Sequence, residues 1–261
     1  MLIRLDGVPA RLFWAAEEQW TAMLREYDLR GMGGTVQSYG GHEITRAGSC
    51  LGLVADALRA QPPGQGVCSV ELHLTQPGDF ALLQGILDEC RLLSRAGELL
   101  VLPSLEEVVA FRDWLCGEVA EQAVGGAPST WHLKTADSTP WDTEAPIWDP
   151  GLTPGDDVAW LVGDDHNRLV AASPAALELL GWQAAELIGQ RLLVVIPPHL
   201  REAHIAAFTR SVVSGVSPLL GQPLALPALT RDGREIPIML TLTRHDARAG
   251  RHVYLARIEP A

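Results

Sequence analysis

Residues 172–198 read ASPAALELLGWQAAELIGQRLLVVIPP, and this stretch decides the fold of the second half of the chain. Ser173 stands where a helix N-cap is expected, and Pro174 occupies the first helical position. Gly181 follows the apolar run ALELL and is the expected terminator. The stretch therefore predicts a short helix over 174–180.

Strand patterns lie on both sides of this helix. Before it, VAWLVGDDHNRLVAAS (158–173) predicts two short strands around a solvated polar turn at Asp164–Asn167, where Asp164, Asp165 and His166 come together. After it, beyond a further helix, three segments predict strands: GQPLALPALT, REIPIMLTLTRHDA and RHVYLARIEP. The order predicts an antiparallel sheet with helices covering one side.

These residues resemble the PAS sensor domain. The segment from Ser173 to Gly189 is similar to the family signature Asn-x-Ala…Gly-Tyr-x-x-x-Glu-Leu-Ile-Gly, with Ser173 in place of Asn and Trp182 in place of Tyr. TRDGREIPI (230–238) resembles the family's Arg-Asp-Gly hairpin. The resemblance covers roughly residues 156–259. It implies a PAS fold, an α+β fold of five antiparallel strands with helices on one face, that perceives a ligand, a redox state or a partner.

PPHLREAHIAAFTRSVVSG (197–215) predicts a helix on which Leu200, His204 and Phe208 share one face. PAS domains hold ligands between the sheet and the helices over it, so the resemblance implies that this face lines the pocket. Locally the sequence is most similar to heme-binding oxygen sensors, whose proximal iron ligand is a histidine on this helix. The resemblance therefore implies a cofactor site with His204 as the heme ligand. Its apolar wall would consist of Phe208, Leu220, Leu224, Ile238 and Leu240.

Heme is one of two interpretations of His204. The same helix occurs in PAS domains without a cofactor, where the imidazole packs and makes a hydrogen bond, and this second interpretation is favoured. Oxygen sensors usually carry an arginine on the following strand, where this chain has Leu224, with Gln222 the nearest polar side chain. The cofactor is therefore unknown, and apart from heme iron no metal is expected.

Residues 1–125 predict a mainly helical α+β domain of unknown function. Apolar residues at helical spacing indicate its helices, and CSVELHLTQ alternates like a strand. His42, Glu43 and His73 are polar side chains that the fold would have to bring together for catalysis. No nucleophile, phosphate or zinc motif accompanies them. We therefore expect no enzyme, and an enzyme for a small molecule or nucleotide, regulated by the PAS domain, is the alternative.

Residues 126–155 predict a linker rich in Pro, Gly, Asp, Ser and Thr, which leaves residues 156–261 as the PAS domain. Trp131, Trp141 and Trp148 recur along this linker. Large amphipathic rings in a polar segment indicate that it docks on a domain or on a second subunit.

Composition limits the partners. The formal net charge is −12, and residues 1–130 hold 9 Arg against 17 Asp and Glu, so neither nucleic acid nor an anionic membrane is expected as a partner. No apolar run spans a bilayer and no signal-peptide pattern is present, which predicts a cytoplasmic protein. The four cysteines form no C-x-x-C pair and are expected to be buried thiols. We expect a bacterial regulator that forms a homodimer, senses a small molecule, redox state or partner, and acts on another signalling protein.

Overall fold

The computed structural model describes residues 1–34, 37–62, 66–133, 146–215, 217 and 219–261. The chain forms two compact units. The first comprises Met1–Leu133 and Glu202–Gly215, and the second comprises Lys134–Arg201 and Val216–Ala261.

The first unit buries one face of a two-stranded antiparallel sheet against helices. Its elements are β1 (Leu2–Pro9), α1 (Ala10–Met32), α2 (Gly41–Arg59), β2 (Val67–His73), α3 (Gly78–Arg95) and α4 (Glu106–Ala123). Alternation places Ile3, Leu5 and Val70 in the core, whereas Arg4 and Glu71 are exposed. The mainly helical α+β character predicted for this region is confirmed.

The second unit is built on a five-stranded antiparallel sheet with strand order β4-β3-β7-β6-β5. Its strands are β3 (Trp160–Asp164), β4 (Leu169–Ala172), β5 (Pro223–Leu229), β6 (Glu235–Asp246) and β7 (His252–Pro260). Two short helices, α5 (Pro174–Leu180) and α6 (Ala184–Leu187), follow β4. The sheet and helices predicted from the sequence are thus confirmed.

The structure confirms the predicted N-cap and C-terminal glycine of α5. Ser173 Oγ accepts hydrogen bonds from the backbone N–H groups of Ala176 at 3.1 Å and Trp160 at 2.9 Å. Gly181 ends the helix with φ of 73°, which favours glycine because a Cβ is strained there. Ser173 therefore caps α5 and also fixes it to β3.

Helix α7 (Arg201–Ser214) carries His204 and, from Glu202 onward, belongs to the first unit. The first unit also extends to Leu133, beyond the predicted domain end at residue 125. The reason is that Trp131 packs on Phe111 and Trp114, with ring centroids 5.2 and 5.6 Å away. The start of the predicted linker is therefore part of the first unit.

The turn between β3 and β4 corrects a prediction. The sequence favours a solvated turn at Asp164–Asn167, but Asp164 is fully buried and Asp165 is 6% exposed. Asp164 Oδ1 accepts hydrogen bonds from the backbone N–H of His166 (3.0 Å) and Arg168 (2.9 Å), and Asp164 Oδ2 accepts from the Arg168 guanidinium (3.1 Å). Arg251 Nε donates to Asp165 Oδ1 at 3.0 Å. The turn is buried because two arginines neutralise its carboxylates.

We predict that Asp164→Ala lowers the free energy of unfolding by about 3–5 kcal/mol, because it leaves the Arg168 guanidinium and two backbone N–H groups without their acceptor. Asp246→Ala is the matched control. Its carboxylate is 90% exposed and pairs with His252 at 3.2 Å, so its loss costs less than about 1 kcal/mol. Urea unfolding followed by tryptophan fluorescence measures both variants. An equal loss of unfolding free energy in the two variants would contradict the stabilising role of the buried Asp164 hydrogen bonds.

Candidate functional site

The inner face of the PAS-like sheet carries four of the six predicted site residues. In the β5–β6 ladder Leu224 pairs with Leu240 and Leu226 pairs with Ile238, so these side chains share one face. Leu220 forms a β-bridge with Leu242 next to them. The second unit therefore brings Leu220, Leu224, Ile238 and Leu240 together, as an apolar strip along β5 and β6.

The cover over this strip is uneven. Ile238 is 5% exposed and belongs to a core with residues of β3, β7, α5 and α6, which includes Leu161, Leu180, Leu187 and Ile258. Leu224 and Leu240 are half-buried, and Leu226 keeps 39% of its surface exposed. The inner face is therefore buried at Ile238 on β6 and partly exposed at its cross-strand partner Leu226 on the edge strand β5.

His204 and Phe208 lie on α7, in the first unit, with ring centroids 6.1 Å apart. Burial lowers the pKa of the His204 imidazole to about 4, so the ring is neutral at physiological pH. A neutral imidazole suits both interpretations of this residue, a core side chain or an iron ligand.

A second stripe of α7, at helical spacing, carries the buried residues Ile205, Ala206 and Thr209, with the half-buried Glu202 at its start. Burial raises the pKa of the Glu202 carboxyl, and the Trp131 indole N–H beside it offsets part of that shift. His204 and Phe208 lie on a different side of the helix from this stripe.

The six predicted site residues are thus divided between the two units. His204 and Phe208 belong to the first unit, and Leu220, Leu224, Ile238 and Leu240 belong to the second. The assignment of these residues to one cofactor site stays a prediction.

The end of the linker covers the outer face of the sheet. The sequence predicts that the linker tryptophans dock on a domain or a second subunit, but it does not identify the surface. Trp148 and Val158 pack against four buried residues of β3 and β7: Trp160, Val162, Val253 and Leu255. Ile147 O accepts a hydrogen bond from the Arg248 N–H (2.9 Å), and Trp160 Nε1 donates to Pro154 O (3.1 Å). We call residues 146–158 the strap. Trp141 lies outside the described residues.

The polar residues considered for catalysis in the first unit have structural positions. Glu43 Oε2 accepts a hydrogen bond from the Gly40 N–H at 2.8 Å at the start of α2, and His42 and His73 are exposed. Across the described ranges, no three His, Cys, Asp or Glu side chains are grouped to hold a metal ion. The first unit therefore shows no assembled constellation of these residues, and enzymatic activity stays untested.

The cysteines are buried thiols, as predicted. Burial raises the pKa of Cys50, Cys90 and Cys116 to about 12, which makes their thiolates rare and the side chains unreactive. In the part of the chain that the structure describes, no helix is both long and apolar enough to cross a membrane.

The comparisons with known proteins concern the second half of the chain. The family described as the PAS fold matches residues 155–258, which is less than half of the chain. A search of curated proteins finds no match. The matched range includes α7, although from Glu202 onward this helix belongs to the first compact unit of the structure.

Solved structures similar to this chain include three PAS domains. The PAS domain of an HTR-like protein from Haloarcula marismortui is 18% identical, with a TM-score of 0.31, over 40% of this chain and 86% of that chain. A PAS domain from Colwellia psychrerythraea is 16% identical, with a TM-score of 0.34, over 40% and 85%. The PAS domain of nitrogen regulation protein NR(II) from Vibrio parahaemolyticus is 22% identical, with a TM-score of 0.29, over 40% and 89%. On the family match and the observed five-stranded sheet, residues 155–258 form a PAS domain, a sensor-type regulatory module.

Proposed function

We propose that this chain is a cytoplasmic signalling regulator, active as a homodimer, in which the PAS domain perceives a small apolar ligand and the acidic first unit acts on another protein. The observation that carries the proposal is the PAS domain over residues 155–258, with an apolar strip on its inner face and the strap on its outer face. Redox state or a partner protein as the signal is the alternative to a ligand.

The strands β3 and β7 connect the two faces. Leu161 and Ile258 belong to the inner core, whereas Val162 and Leu255 contact the strap side. Successive side chains of a strand point to opposite faces, so a shift of β3 or β7 displaces both layers together. A ligand on the inner face would thus change the docking of the strap, provided that it binds the two arrangements with different affinity.

The apolar strip favours a ligand that is largely hydrophobic. Leu224, Leu226 and Leu240 supply aliphatic surface, and Leu226 is the most exposed of the three. Pockets of this kind gain affinity from apolar burial and orientation from a few polar groups.

The first test is a thermal-shift screen of apolar metabolites against the wild-type chain and Leu226→Arg, followed by hydrogen exchange. A ligand of the inner face is expected to raise the melting temperature of the wild type only, because the arginine places a charge on the apolar strip. It should also change amide exchange in the strap. Ligands that stabilise both proteins equally, or that leave strap exchange unchanged, would contradict the proposed route.

Heme is the second candidate ligand, favoured by the neutral imidazole of His204. If bound, heme would supply a redox-active iron that takes diatomic gases, and His204 would hold it through an imidazole nitrogen.

We predict that the purified protein, as isolated and after adding hemin, shows no Soret band that depends on His204, since the interpretation of this imidazole as a packed, hydrogen-bonded side chain needs no cofactor. The measurement is an absorption spectrum of the wild type beside His204→Ala. The matched control is His199→Ala, whose ring is 59% exposed and lies 3.5 Å from Glu235. A sharp Soret band that only His204→Ala loses would establish heme as the cofactor.

The lowered pKa of His204 predicts a loss of stability in acid. The unfolded imidazole has an ordinary pKa near 6.5 and takes up a proton below it, whereas the folded one resists protonation down to about pH 4. Between pH 7.5 and pH 5 the free energy of unfolding should therefore fall by about 2 kcal/mol through this residue. His166, whose pKa burial also lowers, acts in the same direction.

Chemical denaturation at the two pH values measures this loss in the wild type and in His204→Leu, with His199→Leu as the control. The His204 variant should lose about 2 kcal/mol less than the wild type on acidification, since it cannot take up the proton. An unchanged pH dependence would show that His204 is not buried in the way described.

A further inference from the structure

The sheet of the first unit has one edge that the chain itself closes. Met1 and Leu74 exchange two backbone hydrogen bonds, of 2.7 and 2.9 Å, so the alternation of an antiparallel ladder makes Ile3–Leu72 and Leu5–Val70 the next bonded pairs. The N–H and C=O of Arg4 then face away from β2. The Gln122 amide meets both, accepting from Arg4 N at 2.9 Å and donating to Arg4 O at 2.7 Å.

The opposite edge belongs to β2. The same alternation turns the N–H and C=O groups of Ser69, Glu71 and His73 away from β1. Among the described residues, none makes a hydrogen bond with these backbone groups. A regular strand edge of this kind is a template for a further strand.

A groove lies between exposed side chains of β1 and β2 and the C-terminal end of α2. It has a volume of about 420 Å³ and is lined on the strand side by Arg4, Ser69 and Glu71, and on the helix side by Ala57 of α2 and by Ala60 and Gln61, which directly follow α2. Leu53 stands one turn before Ala57 on the same side of α2 and is 43% exposed. An added strand would therefore find free backbone groups on one side and a stripe of apolar side chains on the other.

The charge of the groove selects the occupant. Arg4 is paired with Asp6 at 2.8 Å and Arg59 with Asp56 at 2.7 Å, whereas Glu71 forms no ion pair within the described residues. Glu71 stands directly opposite Arg4 in the β1–β2 pair, but Arg4 is paired with Asp6, so the Glu71 carboxylate favours a basic side chain on an added strand. A second copy of β2 would bring another acidic edge instead.

We propose that an extended, basic segment of a partner protein adds to the β2 edge as a third strand of the first unit. Its backbone pairs with Ser69, Glu71 and His73, a basic side chain lies next to Glu71, and small apolar side chains lie over Ala57 and Ala60. This mode of recognition takes affinity from main-chain hydrogen bonds and specificity from alternate side chains. The proposal rests on the proposed function, because it names how the first unit contacts its partner.

The test selects nine-residue peptides from a displayed random library on the full-length protein. Selected peptides should alternate apolar and polar residues and be enriched in Lys or Arg. Glu71→Pro should weaken their binding at least tenfold, because it removes one outward N–H while leaving every β1–β2 hydrogen bond in place. Glu71→Gln, which keeps the N–H and removes the charge, should weaken binding less than Glu71→Pro and abolish the preference for basic residues.

A second measurement does not depend on how Glu71→Pro folds. Two N-methylated forms of a selected peptide are compared, one methylated at its odd-numbered amides and the other at its even-numbered amides. One form should lose binding to the wild type and the other should keep it, since only one edge of the peptide pairs with β2. Three outcomes would overturn the proposal: no peptide is selected, peptides bind the wild type and Glu71→Pro equally, or both N-methylated forms still bind. A homodimer that Glu71→Pro dissociates would assign the edge to a second copy and overturn it too. None of these readouts involves the PAS ligand, so they fail independently of the ligand screen.

Discussion

The burial of β3 and β7 on both faces is the constraint on which the second unit depends. Leu161 and Ile258 are buried on the inner face, and Val162 and Val253 are buried on the outer face. A side chain of this size contributes about 1.5–3 kcal/mol when fully buried, so an uncovered outer face would cost several such contributions. The strap is therefore part of the folded domain, and the linker is structured where it reaches the sheet.

The same two strands give the proposed sensor its route between faces. An interior packed at the density of proteins transmits displacement, because neighbouring side chains have no empty space into which to relax. The buried turn after β3 adds to this stiffness, since Asp164 and Asp165 connect it to Arg168 and Arg251. The strap is also held by the β6–β7 turn, where the Arg248 N–H donates to Ile147 O.

Helix α7 lies within the PAS family match but is grouped with the first unit. The PAS family match includes this helix, and the sequence around His204 predicts a face directed at the sheet. The observed helix is grouped with the first unit from Glu202 onward, and its buried side chains include Ile205 and Thr209. Heme ligation and packing require the same neutral imidazole, so the pKa of His204 is compatible with both.

The sequence by itself determined those elements whose signals are local. Ser173, Pro174 and Gly181 predict α5 because capping and the left-handed terminator involve only neighbouring residues, and strand alternation places Ile238 and Leu240 on the inner face. Tertiary structure alone decided the rest. The polar turn at Asp164 is buried because Arg251, distant in sequence, neutralises it. The grouping of α7 with the first unit likewise depends on contacts between residues far apart in the sequence. The difference between the two edges of the first sheet also depends on tertiary structure. Gln122 closes the β1 edge by bonding the backbone of Arg4, a contact between distant residues that no local sequence pattern predicts.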